Sequence, residues 1–126
     1  MDLYPIGKLN ISLLRPHFGQ IQTDEVIVSN ERIEHIKSHH PEDYDLFLQY
    51  GQATVESPDY LIQDTANTGT VFAVKKLPDT NLNIIVRLVL EDDDPTYKNS
   101  VMTFYRLRER NLEKLIKKHH LLYKRE

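Results

Sequence analysis

The hydrophobic and polar positions change period once along the chain, near Pro58. Before it, apolar residues recur at helical spacing. Val28, Ile33 and Ile36 can face a core from a helix that opens at Ser29. Ser29 is a good N-cap, and Glu31 sits where the helix dipole favours an acid. That helix is predicted to stop at Pro41, since a residue before proline, here His40, is pushed out of the helical region. A second helix is predicted from Glu42 to Tyr50, with Tyr44, Leu46, Phe47 and Tyr50 as its apolar set and Gly51 as its stop. A short third turn over Gln52–Glu56 then precedes Pro58. The first twenty residues fit two patterns. Ile6, Leu9 and Leu13 suit a helix; Leu9, Ile11 and Leu13 suit a strand; Pro16 is expected to end either. Gln20–Gln22 and Glu25–Val28 read as short extended pieces.

After Pro58 the period shortens to two. Asp59–Gln63, Thr70–Leu77, Leu82–Glu91 and Ser100–Leu107 are rich in Val, Ile, Tyr, Phe and Thr, with turn residues between them. Short links favour an antiparallel meander. In the third strand Ile84, Val86, Leu88 and Leu90 form one face, and Ile85, Arg87 and Val89 the other. In the fourth, Met102 and Phe104 share a face, opposite Val101, Thr103 and Tyr105. If Phe72 and Val74 face the helices, Lys75 lies on the polar side with Arg87, Thr103 and Tyr105. Arg108–Lys118 is predicted to be a helix with Leu112, Leu115, Ile116 and His119 inward, and Leu121–Lys124 a last short strand. The expected fold class is α+β: N-terminal helices packed on a four-stranded antiparallel sheet, with a C-terminal helix.

Length and composition narrow this little further. The 126 residues fit one domain, 1–126, with residues 1–20 as an N-terminal arm. Absence of cysteine excludes disulfides and thiolate chemistry. No apolar run approaches the ~18 residues of a membrane span, and no secretory h-region is visible, so a cytoplasmic site of action and no membrane partner are expected. The net charge of −3 hides an asymmetry. From Arg106 to Glu126 there are eight Lys/Arg against three Asp/Glu, on an otherwise acidic chain. Such a basic end attracts phosphate non-specifically, but it lacks the interleaved aromatics of a stacking platform.

The chemistry concentrates between Ser29 and Tyr44. Three of the six histidines, His35, His39 and His40, fall within six positions there. Arg32, His35 and His39 lie at i, i+3 and i+7 on one polar helix face. Histidine can serve as base and as acid near neutral pH. Metal-independent RNA cleavage needs a base for the ribose 2′-hydroxyl, an acid for the leaving 5′-oxygen, and cations or hydroxyls on the phosphate. His35 and His40 can fill the first two roles in either order, and Lys75, Arg87 and Thr103 the third. An exposed helix whose polar side chains simply meet water is the plainer reading of the same spacing. A metal is the weaker alternative. His35 and His39 can share an ion, but position 36 is Ile, so the H-E-x-x-H pattern is not met, and a third ligand would have to come from His40, His17 or a distant carboxylate. No metal or cofactor is expected. Glu91–Asp94 reads as a solvated turn before Pro95, and His119–His120 as a helix end.

Several stretches taken in order carry a resemblance. They are Ile6–Asn10, Glu31–Ile36 with His40–Pro41, Ser57–Tyr60, Val74–Leu77, Ile85–Leu88, Asn99–Tyr105 and Leu122–Lys124. Together they resemble the phage-associated nucleases of the barnase–EndoU–colicin–RelE superfamily. The resemblance covers nearly the whole chain and implies helices on a four-stranded antiparallel sheet with an active site on its open face. It implies a metal-independent RNase or tRNase, phage- or toxin-associated, with RNA as substrate and an inhibitor or immunity protein as partner. It assigns His35, His40, Lys75 and Thr103 to catalysis; Arg32, His39, Arg87 and Tyr105 are read as substrate-binding from their places on the helix and sheet faces. His39 stands where relatives often carry Arg. A non-catalytic module binding RNA or protein on the same fold is the alternative.

Overall fold

The computed structural model describes residues 2–126. In chain order the elements are β1 (Leu3–Lys8), α1 (Ile11–Phe18), β2 (Glu25–Ser29), α2 (Asn30–His39), α3 (Pro41–Glu56), β3 (Tyr60–Gln63), β4 (Thr70–Lys76), β5 (Asn81–Arg87), β6 (Asn99–Leu107), α4 (Glu109–Lys118) and β7 (His120–Lys124). The fold is α+β, as expected, but the sheet has seven strands rather than four, in the order β1-β2-β6-β5-β4-β3-β7. The predicted antiparallel meander β3–β6 is its centre. The N-terminal segment adds β1 and β2 at one edge, and β2 joins β6 in parallel, which makes the sheet mixed. The tail adds β7 at the other edge. No helix among the described residues is long and apolar enough to cross a membrane.

Two local expectations give way to packing. Pro16 does not end α1; it lies inside it, and the helix closes at Gly19, whose N–H donates to the Arg15 carbonyl. Gly51 does not end a helix either. α3 runs through it as one helix of 16 residues, absorbing the predicted third turn. Gly51 is buried against Phe47, where a Cβ would approach the ring to 3.2 Å. A missing side chain here serves close packing rather than a left-handed cap.

The sheet has two unlike faces. Towards α1–α3, Val71, Ala73, Leu82, Ile84, Val86 and Phe104 form the main core with Leu14, Ile36, Phe47 and Val55. Phe104 stacks on Phe47 with ring centroids 3.9 Å apart. Towards α4, Tyr60, Ile62, Phe72, Val74, Leu107 and Leu112 form a second, smaller core. Phe72 and Val74 therefore face α4 and not the N-terminal helices. Side chains alternate along a strand, so the exchange flips their neighbours: Lys75 turns to the α3 side and Lys76 to the α4 side.

Candidate active site

The α2 histidines are held as their spacing implied. The Ser29 hydroxyl caps the helix by accepting from the Arg32 N–H at 3.2 Å. Ile36 is buried and fixes the rotation of the helix, which leaves His35 and His39 exposed and Arg32 half-buried above them. The rings of His35 and His39 stack, with centroids 4.5 Å apart and planes 27° from parallel. His39 Nδ1 lies 2.9 Å from the His35 carbonyl oxygen. A carbonyl only accepts, so Nδ1 carries the proton, and in the neutral ring Nε2 is the free acceptor. His40 is the extended residue between α2 and α3. Its carbonyl caps α3 by accepting from Asp43 and Tyr44, while its side chain is exposed. The Lys37 ammonium over the Tyr44 ring, 5.5 Å from its centroid, ties the two helices together.

The predicted sheet residues divide. Arg87, Thr103 and Tyr105 share the outer face, as the period-two reading placed them. Val101 does not join them. A register shift between Ile85 and Val86 puts an extra residue into β6, turns Val101 into the main core and leaves Met102 exposed. Lys75 is also elsewhere. Its ammonium donates to the Ser57 carbonyl at 2.8 Å and lies 3.9 Å from Asp59, beyond the C-terminal end of α3. His40 precedes the N-terminal end of that helix, and 16 residues span about 24 Å at 1.5 Å each. The expected cleft shared by Lys75 and the imidazoles beside Pro41 is therefore not formed. α2 packs on the inner face of the sheet, against β2 and β6, whereas Thr103 and Tyr105 point from β6 to the outer face, so the imidazoles do not meet these two side chains either.

Asn83 is a member of the outer face that the sequence reading missed. It is fully buried in β5 and donates through Nδ2 to the Tyr105 hydroxyl at 3.1 Å. That leaves the phenolic proton of Tyr105 free to donate outward. Among the described residues Oδ1 of Asn83 is buried without a partner, a cost of about 1–3 kcal/mol. A lone polar residue in the apolar run Leu82–Val86 was the available signal.

A second histidine group, distant in sequence, also escaped notice. His17 and His120 meet edge to face at 5.3 Å beside Gln63 and the Asp64–Gly69 turn. Neighbouring His119 is buried against the edge of Phe72. Its Nδ1 accepts from the Thr65 N–H at 3.1 Å, so that nitrogen is unprotonated and the approach to Asp64 at 3.6 Å is not a hydrogen-bonded ion pair. Asp64 is buried, which pushes its carboxyl up, but hydrogen bonds from the Asn67 side chain and from the Ala66 and Asn67 N–H groups prevail and hold it below the usual range. This group ties β3, β4 and β7 together. Among the described residues no cluster of three or more imidazole or acidic side chains is placed to hold a metal ion.

The model of one family, the phage-Barnase-EndoU-ColicinE5/D-RelE like nuclease2 domains, matches residues 5–124. The chain belongs to this family. No curated protein and no solved structure matches it. Membership in a phage nuclease-like family agrees with the resemblance carried by the ordered segments, and makes nucleic acid the expected substrate of this nuclease-like domain.

Proposed function

We propose that this domain is a metal-independent endoribonuclease that cleaves by transesterification. The observation that carries the reading is the exposed, stacked His35–His39 pair one turn from Arg32 on α2. His39, with Nδ1 bonded to a carbonyl, presents Nε2 as the base that takes the ribose 2′-hydroxyl proton. The 2′-oxygen attacks phosphorus, the bond to the 5′-oxygen breaks, and protonated His35 gives its proton to that leaving oxygen. The products carry a 2′,3′-cyclic phosphate and a 5′-hydroxyl. Arg32, one turn away, favours the charged phosphorane; Thr103 and Tyr105 lie on the opposite face of the sheet from α2 and take no part in this step. His40, exposed at the next position, is the alternative acid. Lys75 is left with a structural role, holding the Ser57 turn.

The test is incubation of the purified chain with tRNA and total RNA in EDTA. Cleavage is expected, with a bell-shaped pH profile, and His35→Ala or His39→Ala should each lose about 10²–10⁴ in rate without a change in melting temperature. Lys75→Ala should keep the rate. Activity abolished by EDTA would assign a metal enzyme, and RNA bound but never cut would leave a non-catalytic binding module.

A further inference from the structure

The outer sheet face carries a cleft that the acid–base reading does not use. Its volume is about 450 Å³, within the range of small-molecule sites. The floor is a transverse row across three neighbouring strands: Ile27 on β2, Ser100 on β6 and Arg87 on β5, paired in register. Leu3 forms one wall. Tyr97, on the loop between β5 and β6, forms the other, and it is 63% exposed.

That loop is not slack. Gln22 Nε2 donates to the Leu90 and Asp93 carbonyls, both at 2.7 Å. The Leu90 N–H donates to the Asp93 carboxylate at 2.7 Å. The Asp94 carboxylate accepts from the N–H and hydroxyl of Thr96, and the Tyr97 N–H closes the turn on the Asp94 carbonyl. A large ring is thus held out in water on a hydrogen-bonded support.

Charge decides what the cleft fits. Arg87 donates to the Leu88 and Gly69 carbonyls and lies 3.9 Å from Asp93. The Lys98 ammonium is paired with Glu25. Each cation at the cleft has an acidic partner, so the site is close to neutral and mostly apolar. A phosphate would find no surplus cation there. An uncharged, flat, polar-edged ring would find a stacking partner in Tyr97, apolar contact on Leu3 and Ile27, and a hydroxyl at its edge in Ser100.

Resting on the nuclease reading above, we infer that this cleft holds one unpaired nucleobase of the RNA strand, stacked on Tyr97. A paired base hides its faces in the helix stack, so such a site selects single-stranded loops and ends over duplex. The cleft lies on the same face as Thr103 and Tyr105, opposite the face on which α2 packs.

Binding is measured by fluorescence anisotropy with a His35→Ala/His39→Ala chain, silenced for cleavage, and a labelled ten-nucleotide RNA, single-stranded or in duplex. The single strand should bind tighter. Tyr97→Ala should weaken it about tenfold, and Tyr97→Phe should restore it. The loss should be equal at low and high salt, because no phosphate contact is removed. Equal affinity of Tyr97→Ala and parent, duplex binding as tight as single strand, or no binding at all would each overturn the assignment. Displacement by a free nucleoside monophosphate as effective as by the strand would replace the strand with a nucleotide ligand. Cleavage by the unsilenced chain tests the nuclease reading separately.

Discussion

Strand β5 carries Leu82, Ile84 and Val86 on one face and Asn83, Ile85 and Arg87 on the other, and the two rows have different fates. The first row disappears under α3 and meets Phe104 and Phe47. The second is roofed only in part. α4 covers Phe72 and Val74, with Ile85 and Tyr105 at the margin, and the sheet beyond remains accessible around Arg87, Ser100 and Thr103. One face is shaped by what packs on it. The other gathers polar side chains where nothing packs. The same alternation, then, yields a core on one side and a surface able to meet a ligand on the other.

The sharpest way to break this contrast is to cut each face at adjacent positions of β6. Phe104→Ala removes a ring that is 1% exposed, and should cost about 3–5 kcal/mol in denaturant unfolding. Thr103→Ala, one residue away on the open face, should cost less than about 1 kcal/mol. Equal costs would mean that the outer face is as tightly packed as the inner one.

Next in size is the Asp64 turn, where β3 returns to β4. Asp64→Ala removes an acceptor of three hydrogen bonds, and should cost about 2 kcal/mol at neutral pH. The sign with pH follows from its lowered carboxyl. A group whose folded pKa is depressed stabilises above its unfolded value, and that contribution is lost as pH falls through the folded value. Parent and variant should therefore converge on acidification below the ordinary carboxylate range. A gap that stays constant into acid would assign the turn's strength to something other than this carboxylate.

The smallest expected effect lies at the rim of the covered half. Lys76 donates to Glu109 at 3.1 Å and helps seat the first turn of α4. The hydrogen bond to Glu109 raises the lysine, and hydrogen bonds from Asn81 and Lys76 lower the glutamate. Both side chains are about half exposed, so Lys76→Ala should cost under about 1 kcal/mol and nothing measurable in high salt. A larger, salt-insensitive loss would show that α4 is held to the sheet by this pair rather than by Leu112 and Phe72.

Residue order alone determined the elements with strong periodicity: the capped α2 helix with His35 and His39 on one face, the four central strands, the terminal helix and strand, and the outward set Arg87, Thr103 and Tyr105. Their signals are local, set by spacing along one segment. Tertiary structure decided what depends on partners. The extended reading of Glu25–Val28 became β2, but only the fold pairs it with β6; β1 has too little pattern to declare itself, and becomes a strand because β2 offers it an edge. Gly51 stays helical because Phe47 fills its space. Lys75 lies on the α3 side because Phe72 and Val74 face α4, and it stays apart from the histidines because it sits at the C-terminal end of α3 and they at the N-terminal end; period two settles which residues share a face but not which helix that face will meet.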